Sequence, residues 1–277
     1  MRNLLSAGFA RLWRSWTLWL SCAFLAAATI ISIWTRYSDR VQYGYSSSLD
    51  TAFLYYVLFI AFLIPIVCTL FIGTDYADGT VRNKIVCGHG RSSVYLSNLI
   101  LCSTESLIMC TAAVAPGLAM GLPLLGGFAM GPTRAVLFFA SVYALSLAWT
   151  ALFTFLNMLV SSRTITAAVA MLLSLALLMA GTYLEGRLEA APTIQGYHLT
   201  VNGEIVEAEE SPNPAYVPEG PVRNALQLLS DFTPGGQTLQ HVNQRAEHPE
   251  VLIAYDAAVF ALATAAGLFL FKRKDLR

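Results

Sequence analysis

The sequence predicts an all-α integral membrane protein with six transmembrane helices, an N-terminal amphipathic interface helix and a small extracytoplasmic α/β cap between spans five and six. Three observations lead there. The chain has 277 residues, 56% of them hydrophobic and 12% charged, whereas soluble domains carry about 25% charged residues. Its apolar residues gather into six runs that suit a bilayer crossing, which takes about 20 residues. The charges fall mostly in stretches between the runs.

Residues 1–16 are the first element. Leu5, Phe9, Leu12, Trp13 and Trp16 share one helical face and Arg11 and Arg14 point the other way, a pattern suited to the membrane interface. Residues 17–184 hold five spans: Thr17–Ile33, Ala52–Ile72, Leu96–Leu125, Ala135–Val160 and Thr164–Leu184. The first is short, but Trp13, Trp16, Trp19 and Trp34 bracket it as interfacial anchors. A cleaved signal peptide is the competing reading, since Arg11 and Arg14 precede a run containing small residues. The aromatic flanks and the later spans favour an uncleaved helix. The third run is long, and Pro116, Gly117, Gly121 and Pro123 are expected to break it near one end. Only Ser161, Ser162 and Arg163 join the fourth and fifth spans.

Residues 185–250 read as a soluble appendage with ten acids against three arginines. In it "YHLTVNGEIVEA" predicts a β-hairpin turning at Asn202 and Gly203. "PVRNALQLLSDF" predicts a short helix with Val222, Ala225, Leu226 and Leu229 on one face. His198, His241 and His248 match no standard metal spacing and read as solvated surface histidines. Residues 251–277 hold the last span, Val251–Phe271, and a basic tail. Eleven of the seventeen Lys and Arg residues lie on the side of the termini, which predicts that both termini are cytoplasmic. All five cysteines lie in spans or on that same side, so no disulfide framework is expected.

The stretch "DYADGTVRNKIVCGHGRSSVYLSNLI", Asp75 to Ile100, interrupts the apolar pattern. Asp78 is expected to cap a helix starting near Gly79, and Gly88 or Gly90 to end it. Val81 and Ile85 share one face, while Arg82 and Lys84 offer positive charge. A helix of two to three turns is marginal alone in water, so it needs a docking surface, either membrane lipid headgroups or the cleft of a partner protein.

This stretch resembles the loop between the second and third spans of ABC-2 exporter permeases. The resemblance is carried by Asp75, Tyr76, Gly79, Thr80, Val81, Arg82, Asn83, Lys84, Ile85, Val86, Gly88, Arg91 and the "YLSNLI" helix start. Asp75 stands where the family more often has Glu. "NPAYVPEGPVRNALQLLSDFTPGGQ" is similar to the segment before the last span in one branch of these permeases, and "FKRKDLR" to their terminus. The resemblance implies a transmembrane subunit of a bacterial plasma-membrane exporter. It would pair as a homodimer, or as a heterodimer with a paralogous permease, and bind two cytoplasmic ABC ATPase subunits. ATP and Mg would sit on the ATPase, with no cofactor on this chain, no enzymatic activity of its own and no nucleic-acid partner. Residues 73–95 would be the coupling loop, with Thr80, Val81, Arg82, Lys84, Ile85, His89 and Arg91 as the contacts to the ATPase. The aromatic, sparsely charged composition suits an amphipathic cargo such as a peptide, lipid or drug.

Other motifs lead nowhere. "GTDYADGT" has no Lys and the wrong Gly spacing for a phosphate loop. "TPGGQ" superficially resembles an ABC ATPase signature, but the chain has no phosphate loop to accompany it. No GxSxG or HExxH occurs. Glu105 is the one acid deep in a run. Residues such as Asp cost about 2.5–3.5 kcal/mol at a bilayer centre, so such a carboxyl is a functional candidate. Glu105 is the candidate pathway or gating residue, with a protonated acid bonded to Ser103, Thr104, Ser106 or a neighbouring helix as the structural alternative. Asp256, about a turn inside the last span, reads as structural. An ion-coupled secondary transporter using Glu105 and a membrane sensor with a ligand-binding cap are the other function classes.

Overall fold

The computed structural model describes residues 1–45, 48–194, 198–201, 204–207 and 210–274. Apolar continuity decides its long helices. Six described helices are long and apolar enough to cross a membrane: α2 (Trp16–Tyr43), α4 (Tyr56–Ala77), α6 (Arg91–Leu125), α7 (Pro132–Leu159), α8 (Arg163–Glu189) and α11 (Pro249–Arg273). They make the chain a multi-pass membrane protein with both termini at one end of the bundle, here the terminal end; the opposite one is the cap end. α4 and α7 are the most buried and pack on each other. α2, α6, α8 and α11 surround them, with α2 on α6 and α11 on α7 the closest peripheral pairs.

The spans run past their apolar runs. α2 continues through residues 34–43, where no Gly or Pro intervenes, and stops at Gly44, whose φ of 71° is left-handed. α6 does not break. It is one helix of 35 residues with Pro116 and Pro123 inside it, contrary to the expected break. Gly117 and Gly121 serve packing instead. A Cβ on Gly117 would lie 1.7 Å from the Phe53 ring, and one on Gly121 2.3 Å from Leu49. The short α3 (Leu49–Phe53) therefore seats its side chains where α6 has none.

α1 (Arg2–Trp13) lies against α6 as an amphipathic helix, rotated from the expected face. Leu4 and Leu12 are buried, Gly8 abuts Leu101, and Trp13 and Trp16 are exposed. The indole of Trp19 donates to Trp13 O at 2.9 Å and closes the corner between α1 and α2. Between α7 and α8 the connection is as short as expected, and Ser162 caps α8 by accepting from Ile165 N.

The cap segment departs most from expectation. The boundary placed at 184/185 falls inside α8, which runs to Glu189. Two small antiparallel pairs follow: β1 (Thr193–Ile194) with β4 (Ser211–Pro212), and β2 (His198–Val201) with β3 (Glu204–Glu207). The latter is the expected hairpin; its turn at Asn202 and Gly203 lies outside the described residues, as does 275–277 of the tail. The chain then folds back into the bundle as a helical hairpin, α9 (Pro221–Phe232) and α10 (Pro234–Val242).

Both hairpin helices carry Pro in the first turn, and Thr233 caps α10 by accepting from Gly236 N at 3.3 Å. α10 packs on α8, α4 and α7. A Cβ on Gly235 would sit 2.0 Å from Leu177 O, and one on Gly181 would sit 2.5 Å from Gly235 O, so the two backbones touch. Leu177 is roughly 18 Å along α8 from Glu189 at 1.5 Å per residue, so the hairpin tip is re-entrant. Its polar side chains find partners inside. Thr238 accepts from the Trp149 indole at 3.2 Å, and Gln240 donates to Ser230 and Asp231. His241 is fully buried between Gln237 O (2.7 Å) and Ser141 Oγ (3.0 Å). It is not the solvated histidine expected, because α10 turns it toward α7. α9 reverses the usual amphipathic order. Its apolar face, with Val222 and Leu229, points outward, while Arg223 and Ser230 turn toward protein.

Gly235→Ala is expected to destabilise the chain by about 1–3 kcal/mol through overpacking against immovable backbone, seen as a lower thermal unfolding midpoint in detergent. Gly186→Ala, where a Cβ meets nothing within 4 Å, is the control and should not lower it.

Candidate functional site

The polar stretch between α4 and α6 folds as a reversal. α4 ends at Ala77, and the Asp78 N–H donates back to Thr74 O at 2.9 Å. Gly79, with φ 65°, turns the chain so that α5 (Thr80–Val86) starts at once. Gly79 is thus the N-cap; Asp78 makes no side-chain cap, contrary to expectation, because its place is the end of α4. Gly88, with φ 90°, follows α5, and Gly90 precedes α6.

What holds α5 is Asp75, in the last turn of α4 and completely buried. One carboxylate oxygen accepts from Arg11 of α1 and the other from Lys84 of α5 at 2.7 Å. Arg11 also lies over the Phe71 ring, its guanidinium carbon 3.9 Å from the centroid. A buried carboxylate is costly unless paired and hydrogen-bonded, and here each oxygen has its own cation. Lys84 is therefore turned inward rather than offered to a partner. Val81 is buried as well and supplies the apolar anchor of α5, with Ile85 partly buried beside it.

A second network closes the same end. Arg91 donates to Lys272 O at 3.0 Å, to Phe271 O at 3.5 Å and to Lys274 O, so it caps the last carbonyls of α11. It too is an internal fastener. Lys274 donates to Met158 O at 3.0 Å and to the Tyr76 hydroxyl at 3.1 Å, and Tyr76 itself donates to Met158 O at 2.7 Å. Burial pushes the Lys274 ammonium down to about 8 from its ordinary 10.5.

Of the seven expected contacts, Arg82 is exposed, while Thr80, Lys84 and His89 line a cavity of about 400 Å³ between α1 and α5. His89 N also donates to Lys84 O at 3.1 Å. The outward face of α5 is completed by Val86 (77% exposed), while Asn83 and Cys87, though exposed, stand on the side of the α1 cavity. Val86 is four residues after Arg82, so helical spacing alone would have placed it on that face.

Glu105 lies elsewhere, on α6, buried, with neither carboxyl oxygen hydrogen-bonded, and it lines none of the principal cavities. The bonds of the structural alternative, to Ser103, Thr104 or Ser106, do not form; these hydroxyls bond their own helix or stay unpaired among the described residues. No group of His, Cys, Asp and Glu among the described residues could hold a metal ion. Asp256 on α11 is buried, with neither carboxyl oxygen hydrogen-bonded among the described residues.

No protein-family model matches the chain, and no curated protein matches it.

Asp75→Asn removes the charge that holds both cations. Hydrogen bonds to charged groups contribute roughly 1.5–3 kcal/mol, and the part exposure of Arg11 and Lys84 puts the loss at the lower end of that range. Amide exchange in α5 should accelerate about tenfold while exchange in the middle of α7 stays unchanged. For Lys274, the unfolded chain binds a proton between about pH 8 and pH 10.5 that the folded chain has released, so its contribution makes stability rise with pH across that window. Thermal midpoints measured through the window should show this rise, and Lys274→Met should flatten it.

Proposed function

We propose that this chain is the transmembrane permease subunit of an ABC exporter in a bacterial plasma membrane, with both termini cytoplasmic. α5 is its coupling helix. The observation that carries the reading is the build of α5: two turns, pinned by Lys84 to the buried end of α4, followed closely by α6, with Arg82 and Val86 facing out and Cys87 exposed at its end. A short helix tied to two spans, basic and apolar on its free face, suits insertion into a partner's cleft. The motif resemblance around Asp75 to Ile100 supports the same role. ATP and Mg would be bound by the partner ATPase. Two permease chains, identical or paralogous, would form the path for an amphipathic cargo.

Glu105 favours one other reading. A buried carboxyl with no partner on either oxygen suits a proton carrier in an ion-coupled transporter, and Glu105→Gln would abolish gradient-driven flux there. In an exporter powered by a separate ATPase the same change should leave ATP-dependent flux largely intact.

The deciding experiment is affinity purification from native membranes with a crosslinker on Cys87, comparing the native chain with Arg82→Glu and Val86→Asp. An ATPase subunit should copurify, crosslink through Cys87 and be lost in both variants. Absence of any ATPase under mild conditions would sink the reading.

A further inference from the structure

A cavity of about 850 Å³ lies at the cap end, walled by the ends of α7 and α8, by the α9–α10 hairpin and by the start of α11. That volume is in the range of pockets that hold small-molecule ligands. Its chemistry is of mixed sign. Arg245 is paired with Glu189 and lies 3.7 Å from Glu185. The other charges facing the cavity are not paired with one another. Arg134 donates to Ala246 O, and Arg223 donates to Val217 O and Leu188 O. Neither has an ion-pair partner among the described residues. Asp231 accepts only from the Gln227 and Gln240 amides, and Glu247 has no partner among the described residues. The arginines are thus oriented by backbone carbonyls, and no ion pair among the described residues offsets these four charges, of which Arg134 and Glu247 are exposed and Arg223 and Asp231 half-buried.

A second feature lies on the same wall. α10 ends in a paired turn in which Arg245 N donates to Gln240 O at 2.7 Å and Gln244 N to His241 O at 3.2 Å. This motif places its left-handed position at Gln244, φ 60°, where glycine is usual. Gln244 is the one non-glycine residue with positive φ among the described residues, and it lines the cavity. Such conformations are costly and gather at functional sites. Its amide offers both a donor and an acceptor.

We propose that this cavity binds a small zwitterion of the amino-acid or short-peptide class. Asp231 and Glu247 meet its ammonium group and Arg134 and Arg223 its carboxylate. A ligand carrying only one sign of charge would satisfy one pair and be repelled by the other. The site does not depend on the transport reading, since a receptor would use it equally well.

The test is calorimetric titration of the full chain, purified in an uncharged maltoside detergent, with triglycine, N-acetyl-triglycine and triglycine amide. Triglycine should bind, and each blocked analogue should bind about tenfold more weakly or worse, as expected for loss of a charged hydrogen-bonding partner. Glu247→Gln should weaken triglycine and the amide but leave the acetylated peptide unchanged; Arg134→Gln should weaken triglycine and the acetylated peptide but leave the amide unchanged. Gln244→Gly should raise the unfolding midpoint and still lower triglycine affinity, which separates a binding role from a folding defect. Equal affinity for all three peptides, or no binding, would overturn the proposal. So would triglycine binding that vanishes in phosphatidylcholine nanodiscs but survives in phosphatidylglycerol ones, because the occupant would then be a lipid headgroup. The measurement needs no ATPase, so its failure leaves the exporter reading standing, and loss of the partner leaves this site standing.

Discussion

The buried carboxylate of Asp75 is the constraint around which the terminal end is arranged. A charge so enclosed has to be neutralised on the spot, and Asp75 draws its two cations from different elements, Arg11 on α1 and Lys84 on α5. α1 lies along the surface of the bundle and buries only Leu4 and Leu12. α5 has seven residues, too few to keep helical form by itself. Both are placed less by their own burial than by one acid in the last turn of α4. A movement of α4 would therefore carry α5 with it, and a force on α5 would reach α4 through an ion pair rather than through a loose loop.

The second network works by a different device. The last carbonyls of a helix have no partner within it, and here the ends of α7 and α11 share theirs. Met158 O accepts from Tyr76 and Lys274, and the carbonyls closing α11 accept from Arg91. Cations at helix C-termini are also favoured by the helix dipole. The consequence for function is subtractive. Lys84 and Arg91 look like contacts for a partner when read as charges in a loop, yet both are consumed inside the chain. The free face of α5 is narrower: Arg82 and Val86, one basic and one apolar side chain on a short helix.

The spans could be read from the sequence because their signal is local: an unbroken apolar run reports a crossing whatever it packs against. The boundaries of α5 were legible for a similar reason, through Gly79 and Gly88. What the sequence hid depends on tertiary placement. Prolines read as breaks in α6 are accommodated in a helix whose glycines receive Phe53 and Leu49. Lys84 and His241 are polar, and polarity was taken for exposure, whereas Asp75 and Ser141 give them buried partners. α10 was missed because "PGGQTLQHV" has no apolar stripe; its burial rests on backbone contact at Gly235 and on paired polar side chains. Thr233 followed by Pro234 was the available signal, a capping residue before a first-turn proline. On α9 the amphipathic face is legible in the sequence, but the usual rule that it points inward fails for a hairpin whose second helix, α10, takes the inner position against α8, α4 and α7.

The two ends of the molecule are joined by the same two helices. α4 carries Asp75 at one end and packs on α10 nearer the other; α7 ends at the Met158 carbonyl and, further along, holds Trp149 against Thr238 and Ser141 against His241. These are the most buried helices in the bundle, and close-packed interiors pass displacement on rather than absorb it. The hairpin cannot yield locally either, since the backbones of α8 and α10 are already in contact at Gly181 and Gly235. Any shift that α5 imposes on α4 must therefore be taken up by sliding or tilting of whole helices. The wall most affected would be the one that α10 contributes to the cap-end cavity, where Gln240 and Gln244 stand opposite the charged ends of α7 and α8. Such a path becomes a switch only if the hairpin has two stable seats, and the backbone contact at Gly235 makes the number of seats a question of steps along α8 rather than of side-chain repacking.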